Sequence, residues 1–294
     1  MSLKPRFTED GEVIAINLKK SVTIEGRDFF GRKAWITFEN TNGLGSGSWY
    51  HDTGYLRCEK FWDILPEQVV SKTRRLCLVD TNNKVWMNHP EHITILRLLG
   101  LDDVAVSCGP GNWPPYLLAG ELWTMLSPHL EYADYSLMWN PVVSKGIGTT
   151  QKKKRGETII SSHPNSSAGI SVYSEIDYGR DLYSVSNFQY DAGYSWEELR
   201  KILFSPTQGC QSKALYWAAC LVGSMNWPHH HKRICWPQEQ PAEFTADFFN
   251  HHRILDILGF LGAVSLVGNK LISCQIISDK GGHLSDVLAY RKLM

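Results

Sequence analysis

At 294 residues, 43% apolar and 20% charged, the chain suits one large globular domain or two of ordinary size. Thirty basic residues balance thirty acidic ones, so no net field draws it to nucleic acid or to an anionic membrane. Seven cysteines, an odd number with no C-x-x-C pair, exclude a disulfide framework and a thiolate zinc site and fit a reducing compartment.

The N-terminus, MSLKPRFTEDGEV, lacks the apolar stretch of a secretory signal. The most apolar run, Ile254 to Gly268, contains Asp256 and is too short to cross a bilayer. A cytoplasmic protein without a transmembrane segment is expected. Eleven tryptophans point either to a large apolar pocket or to a Trp-rich core.

Residues 12 to 39 read as strands, with VTIEG and GRKAWITFEN forming a hairpin around Gly31. GLGSGSWY is glycine-rich but lacks the Lys and Ser/Thr of a phosphate loop, so it reads as a loop. Residues 67 to 87 read as two strands joined by a turn at Asn82 and Asn83. In NHPEHITILRLLGL, Asn88 is the expected N-cap, with Pro90 in the first turn. Ile95, Leu98 and Leu99 form an apolar stripe that ends at Gly100. A strand, DVAVSC, and a helix from about Leu117 to Leu126 follow. Ser127 to Asn140 is the expected domain boundary. QKKKRG reads as a charged turn, residues 157 to 190 as strands, and Trp196 to Leu203 and Ala214 to Val222 as helices. His229, His230 and His231 sit between prolines without ligand spacing and read as an exposed loop.

Residues 242 to 283 carry the most chemistry. A helix runs towards Gly259, with Phe248, Leu255 and Leu258 on one face and the glycine as its stop. His252 and Asp256 lie four residues apart, hence one turn apart on one face, the spacing of two ligands to one metal ion. For the pair alone, a core histidine on a polar stripe is the simpler account. EHITILRLLG and HHRILDILG echo one another, which fits a duplicated unit with one such helix in each half.

The order of these motifs resembles the UDP-3-O-acyl-N-acetylglucosamine deacetylases, zinc hydrolases of lipid A synthesis. The resemblance rests on Gly31, on EHITILRLLGLDDVAV, on Glu175-Ile176-Asp177-Tyr178 and on Leu221 to Ser224. It continues through HRILDILGFL, VGNKLI and KGGHLSD. It implies an α+β fold of two similar domains, residues 1–133 and 134–294, each a sheet packed on helices, with the site in the cleft between them. The implied activity is removal of the N-acetyl group from a UDP-linked acylated N-acetylglucosamine or a related amino sugar by a monomer. By the same resemblance His92, His252 and Asp256 hold zinc, and the donor set would equally suit Fe(II). Glu91 is the base, Thr207 helps to hold the oxyanion, and His283 protonates the leaving amine. Arg253 and Lys280 meet an anionic diphosphate.

The chain departs from the family in several places. Phe260 replaces a second aspartate that pairs with the acid histidine. Asp28-Phe29-Phe30-Gly31 replaces L-H-S-G, and Leu118-Ala119-Gly120-Glu121 replaces part of M-D-G-S-A. These departures motivate a second expectation, a metal-retaining, catalytically impaired homologue that binds such a ligand. Asp286 is the alternative partner expected for His283.

Overall fold

The structure is a computed structural model that describes residues 3–41, 66–72, 75–80, 82–150, 156–163, 168–177, 183–205, 217–218, 221, 246–265 and 270–294. Thr207, the triplet His229 to His231, GLGSGSWY, Tyr178 and most of QKKKRG lie outside these residues, as does most of the helix expected over Ala214 to Val222.

The described residues mix α-helices with three sheets. Strand β1 (Val13–Leu18) pairs antiparallel with β8 (Leu130–Pro141), and β8 pairs parallel with β13 (Lys270–Asp279). On β13 also sit β10 (Gly156–Ser161), antiparallel, and β11 (Ile170–Asp177), parallel. β9 (Gly146–Thr150) extends from β10, and β12 (Tyr183–Tyr190) from β11. The second sheet joins β2 (Val22–Arg27), β3 (Lys33–Asn40) and β7 (Val104–Gly109). The third joins β4 (Val69–Lys72), β5 (Arg75–Val79) and β6 (Val85–Asn88).

Local chemistry explains much of this. The β2–β3 hairpin turns where expected, with Gly31 at a φ of 77° and Asp28 Oδ1 accepting from the backbone N–H groups of Phe30 and Arg32. β11 alternates buried and half-buried positions along its whole length, the period-two signature of a strand. The stretch 67–87 holds three strands, not two. The turn at Asn83, whose φ is 62°, joins β5 to β6, and β4 is a separate short strand. The segment read as a boundary, Ser127 to Asn140, is a 3-10 turn followed by β8, which bonds to both β1 and β13.

Helices bounded within the described residues are α1 (Glu91–Leu98), α2 (Ala119–Leu126), α3 (Trp196–Leu203), α4 (Ala246–Val264) and α5 (His283–Arg291). Asn88, the expected cap of α1, is the last residue of β6, and the N-cap position is taken by Pro90 without a side-chain bond. The predicted bounds of α3 match, and Ser195 caps it by accepting from the Glu198 N–H at 3.3 Å. Among the described residues no helix is long and apolar enough to cross a membrane.

Gly259 does not stop α4. The helix continues five residues beyond it, because Gly259 and Gly262 have a packing role. A Cβ on Gly259 would fall 2.5 Å from the Glu91 Cβ, and one on Gly262 would overlap the Thr94 carbonyl oxygen. α1 therefore crosses α4 backbone to backbone. Thr94 fastens the crossing, its hydroxyl donating to the Gly259 carbonyl at 2.7 Å. Every residue of α1 is buried, polar ones included. Arg97 is paired with Asp102 and donates from Nε to the Ser265 carbonyl at 3.2 Å, while Tyr135 of β8 donates to the other Asp102 oxygen at 3.1 Å.

In an open helix, Gly→Ala stabilises by about 1 kcal/mol. Gly262→Ala should do the reverse, because the added methyl meets backbone that cannot rotate away. The expected loss is about 1–3 kcal/mol, the scale of overpacking, read from urea denaturation.

Candidate metal centre

The α1/α4 crossing sets two polar helix faces against each other. From α1 come Glu91 and His92, 2% and 5% exposed. From α4 come His252 and Asp256, with His252 Nε2 3.5 Å from Asp256 Oδ1. The ring of His92 stacks on that of His252 with centroids 6.2 Å apart. His283, the first residue of α5, completes the group, its Nε2 3.7 Å from Asp256 Oδ2.

Of these, Glu91, Asp256 and His283 each offer a donor atom within 4.8 Å of the other two. That triad is not the one the resemblance implies. Asp256 is common to both sets, while His252 adjoins the triad through Asp256 and His92 through its stack on His252. Glu91 Oε2, Asp256 Oδ1 and His283 Nδ1 are buried and make no hydrogen bond. Buried polar atoms in that condition are costly. A divalent cation accepts lone pairs from carboxylate oxygen and from imidazole nitrogen, so the donor set fits such an ion.

Glu91 Oε1 accepts from His89 Nδ1 at 3.1 Å. Burial pushes the Glu91 carboxyl up, but that bond and the charges of His89, His283 and His92 outweigh it and hold the group at about 2. Glu91 is therefore ionised at neutral pH. His89 was not singled out in the sequence, although its place two residues before Glu91 in H-P-E-H was the available signal.

Three further expectations meet a different environment. Arg253 is 5% exposed, and its guanidinium forks onto Asp286, with Nη1 donating to Oδ2 at 2.7 Å and Nη2 to Oδ1 at 2.5 Å. Its Nε and Nη2 also donate to Ser278 Oγ, and Thr158 adds a bond to Asp286. This knot ties α4 to β13, β10 and α5. Lys280, at a φ of 50°, lies 3.5 Å from Glu175 and 3.7 Å from Asp177. Phe260 is in the core, 1% exposed, with its ring against Tyr290. The carboxylate beside His283 is Asp256, not Asp286, which Arg253 holds.

Beside His89 and His92 lies a cleft lined by Phe29, Trp113, Tyr116 and Leu122. Arg75 covers Trp113, with its guanidinium carbon 4.9 Å from the ring centroid.

No protein-family model matches the chain, and no curated protein matches its sequence.

Arg253→Met should cost about 3–5 kcal/mol, because Asp286 is left charged and buried. The double variant Arg253→Met/Asp286→Leu should regain most of that, and the comparison is made by urea denaturation of metal-free protein. Glu91 gives a pH signature. Its carboxyl is lower in the fold than the ordinary 4.5, so its contribution is present above about 4.5 and is lost as pH falls towards about 2. The urea midpoint of the wild type should therefore lie above that of Glu91→Gln at pH 6, with the gap narrowing between pH 4.5 and 2.

Proposed function

We propose that the chain is a zinc-dependent amidohydrolase that removes the N-acetyl group from a UDP-linked acylated N-acetylglucosamine or a related amino sugar. The observation that carries this reading is the buried carboxylate and imidazole group at the α1/α4 crossing. Donor atoms of Glu91, Asp256 and His283 in it lie within 4.8 Å of one another, and Glu91 Oε2, Asp256 Oδ1 and His283 Nδ1 make no hydrogen bond. On this reading His92, His252 and Asp256 hold the ion. Two similar α+β domains, 1–133 with α1 and 134–294 with α4 and α5, meet at the site, and the protein works in the cytoplasm as a monomer.

Zinc, when bound, polarises the amide carbonyl and lowers the pKa of a water. Glu91, ionised and with one oxygen anchored by His89, takes the proton from the attacking water through Oε2. His283 sits at the start of α5, close enough to the same centre to protonate the amine nitrogen as the C–N bond breaks. Thr207 is the proposed donor to the oxyanion.

One observation favours the second reading, a metal-retaining homologue that binds such a ligand without turning it over. Arg253 and Lys280, the cations expected to meet a diphosphate, are both engaged by carboxylates of the chain itself.

Purified protein should hold about one equivalent of zinc in a catalytic-type site. His92→Ala, His252→Ala and Asp256→Ala should each lose most of it, measured by elemental analysis. Glu91→Ala should keep the metal while release of amine from UDP-3-O-acyl-N-acetylglucosamine falls roughly a hundredfold. Loss of metal in Glu91→Ala would make that residue a ligand, not the base. Metal binding without amine release selects the second reading. Full metal retention in His252→Ala overturns both.

A further inference from the structure

The segment that links β6 to α1 is built around the imidazole of His89. Its backbone has a φ of 51°, a left-handed conformation uncommon for residues other than glycine, and its N–H donates to the Leu76 carbonyl at 3.2 Å. The ring lies nearly parallel to that of Phe29, 15° between planes and 6.2 Å between centroids, and 5.6 Å from Trp113. Phe29 and Trp113 stack on each other at 5.8 Å, and Phe29 also meets Tyr116 edge-on at 5.4 Å. These aromatic contacts leave the imidazole little freedom to swing.

The orientation they fix has one chemical outcome. His89 Nδ1 is 3.1 Å from Glu91 Oε1. An ionised carboxylate only accepts, so Nδ1 carries the hydrogen. Glu91 Oε1 is thereby occupied, while Oε2 is buried and without a hydrogen bond. We propose that His89 is a positioning residue for Glu91: held by Phe29 and Trp113, it anchors one carboxylate oxygen so that the other faces the reacting water. The inference rests on the hydrolase reading given above. It adds to that reading a specific division of labour between the two carboxylate oxygens, set from outside the metal cluster.

Two replacements separate positioning from packing. His89→Gly removes the donor and relieves the backbone. His89→Asn tolerates the left-handed conformation and places an amide N–H where Nδ1 stands. In amine release from UDP-3-O-acyl-N-acetylglucosamine, His89→Gly should lower kcat about ten- to a hundredfold, the scale of a misplaced catalytic group, with KM and zinc content unchanged. His89→Asn should recover most of that loss. The double variant His89→Gly/Glu91→Ala should be no slower than Glu91→Ala, because a positioning residue has nothing to add once its target is gone. Unchanged kcat in His89→Gly, equal losses in the Gly and Asn variants, or additive losses in the double variant would each overturn the proposal while leaving the hydrolase reading in place. An inactive wild type that binds zinc overturns both together.

Discussion

The contact between the α1 and α4 backbones is the constraint from which the rest follows. Helices normally pack with their axes 8–10 Å apart, held off by side chains. At Gly259 and Gly262 there is no side chain to do this, so Glu91 and Thr94 of α1 sit directly on the α4 backbone. Glu91 and His92 start α1, while His252 and Asp256 lie about two turns and one turn before Gly259 on α4. The crossing therefore fixes the separation between the two halves of the cluster. Thr94 locks its register through the Gly259 carbonyl, and Arg97 reaches the far end of α4 at Ser265.

Among the described residues, buried charge occurs in sites of two kinds. The Arg97–Asp102 and Arg253–Asp286 pairs are closed, each guanidinium matched to a carboxylate and to further donors or acceptors. Such pairs give little net stability but are destructive when halved. The cluster of Glu91, Asp256 and His283 is open, with two carboxylates and no arginine or lysine in the group. That contrast in one core is the physical reason to read the closed pairs as architecture and the open group as a place for a cation.

Parts of this were legible in the sequence. Period-two alternation located the β2–β3 hairpin and the strands of residues 157–190, and the amphipathic pattern bounded α3. The four-residue step from His252 to Asp256 placed both on one turn-to-turn face. β9 was missed because GIGTT reads as loop composition. Its glycines are there so that α5 can lie on the strand, where Cβ atoms at Gly146 and Gly148 would overlap the carbonyls of Ala289 and Ser285. Gly259 misled for the same reason: glycine ends helices when only local preference acts, and here tertiary contact overrides it. Arg253 was expected at an anionic ligand through the family resemblance, and a single sequence carries no sign of the burial that sets it against Asp286. The aspartate that claims it lies 33 residues further on.

The span between the two helices also has a consequence for biosynthesis. Thr94 and its acceptor are 165 residues apart, and Arg97 and Ser265 are 168 apart. At ribosomal speeds of about 5–20 residues per second, α1 leaves the ribosome on the order of ten seconds or more before the strip that covers it exists. During that interval the face of α1 that meets α4 is uncovered. Until residues 246–265 arrive, Thr94 and Arg97 have no access to the Gly259 and Ser265 carbonyls, so the buried setting of α1 is completed late in synthesis.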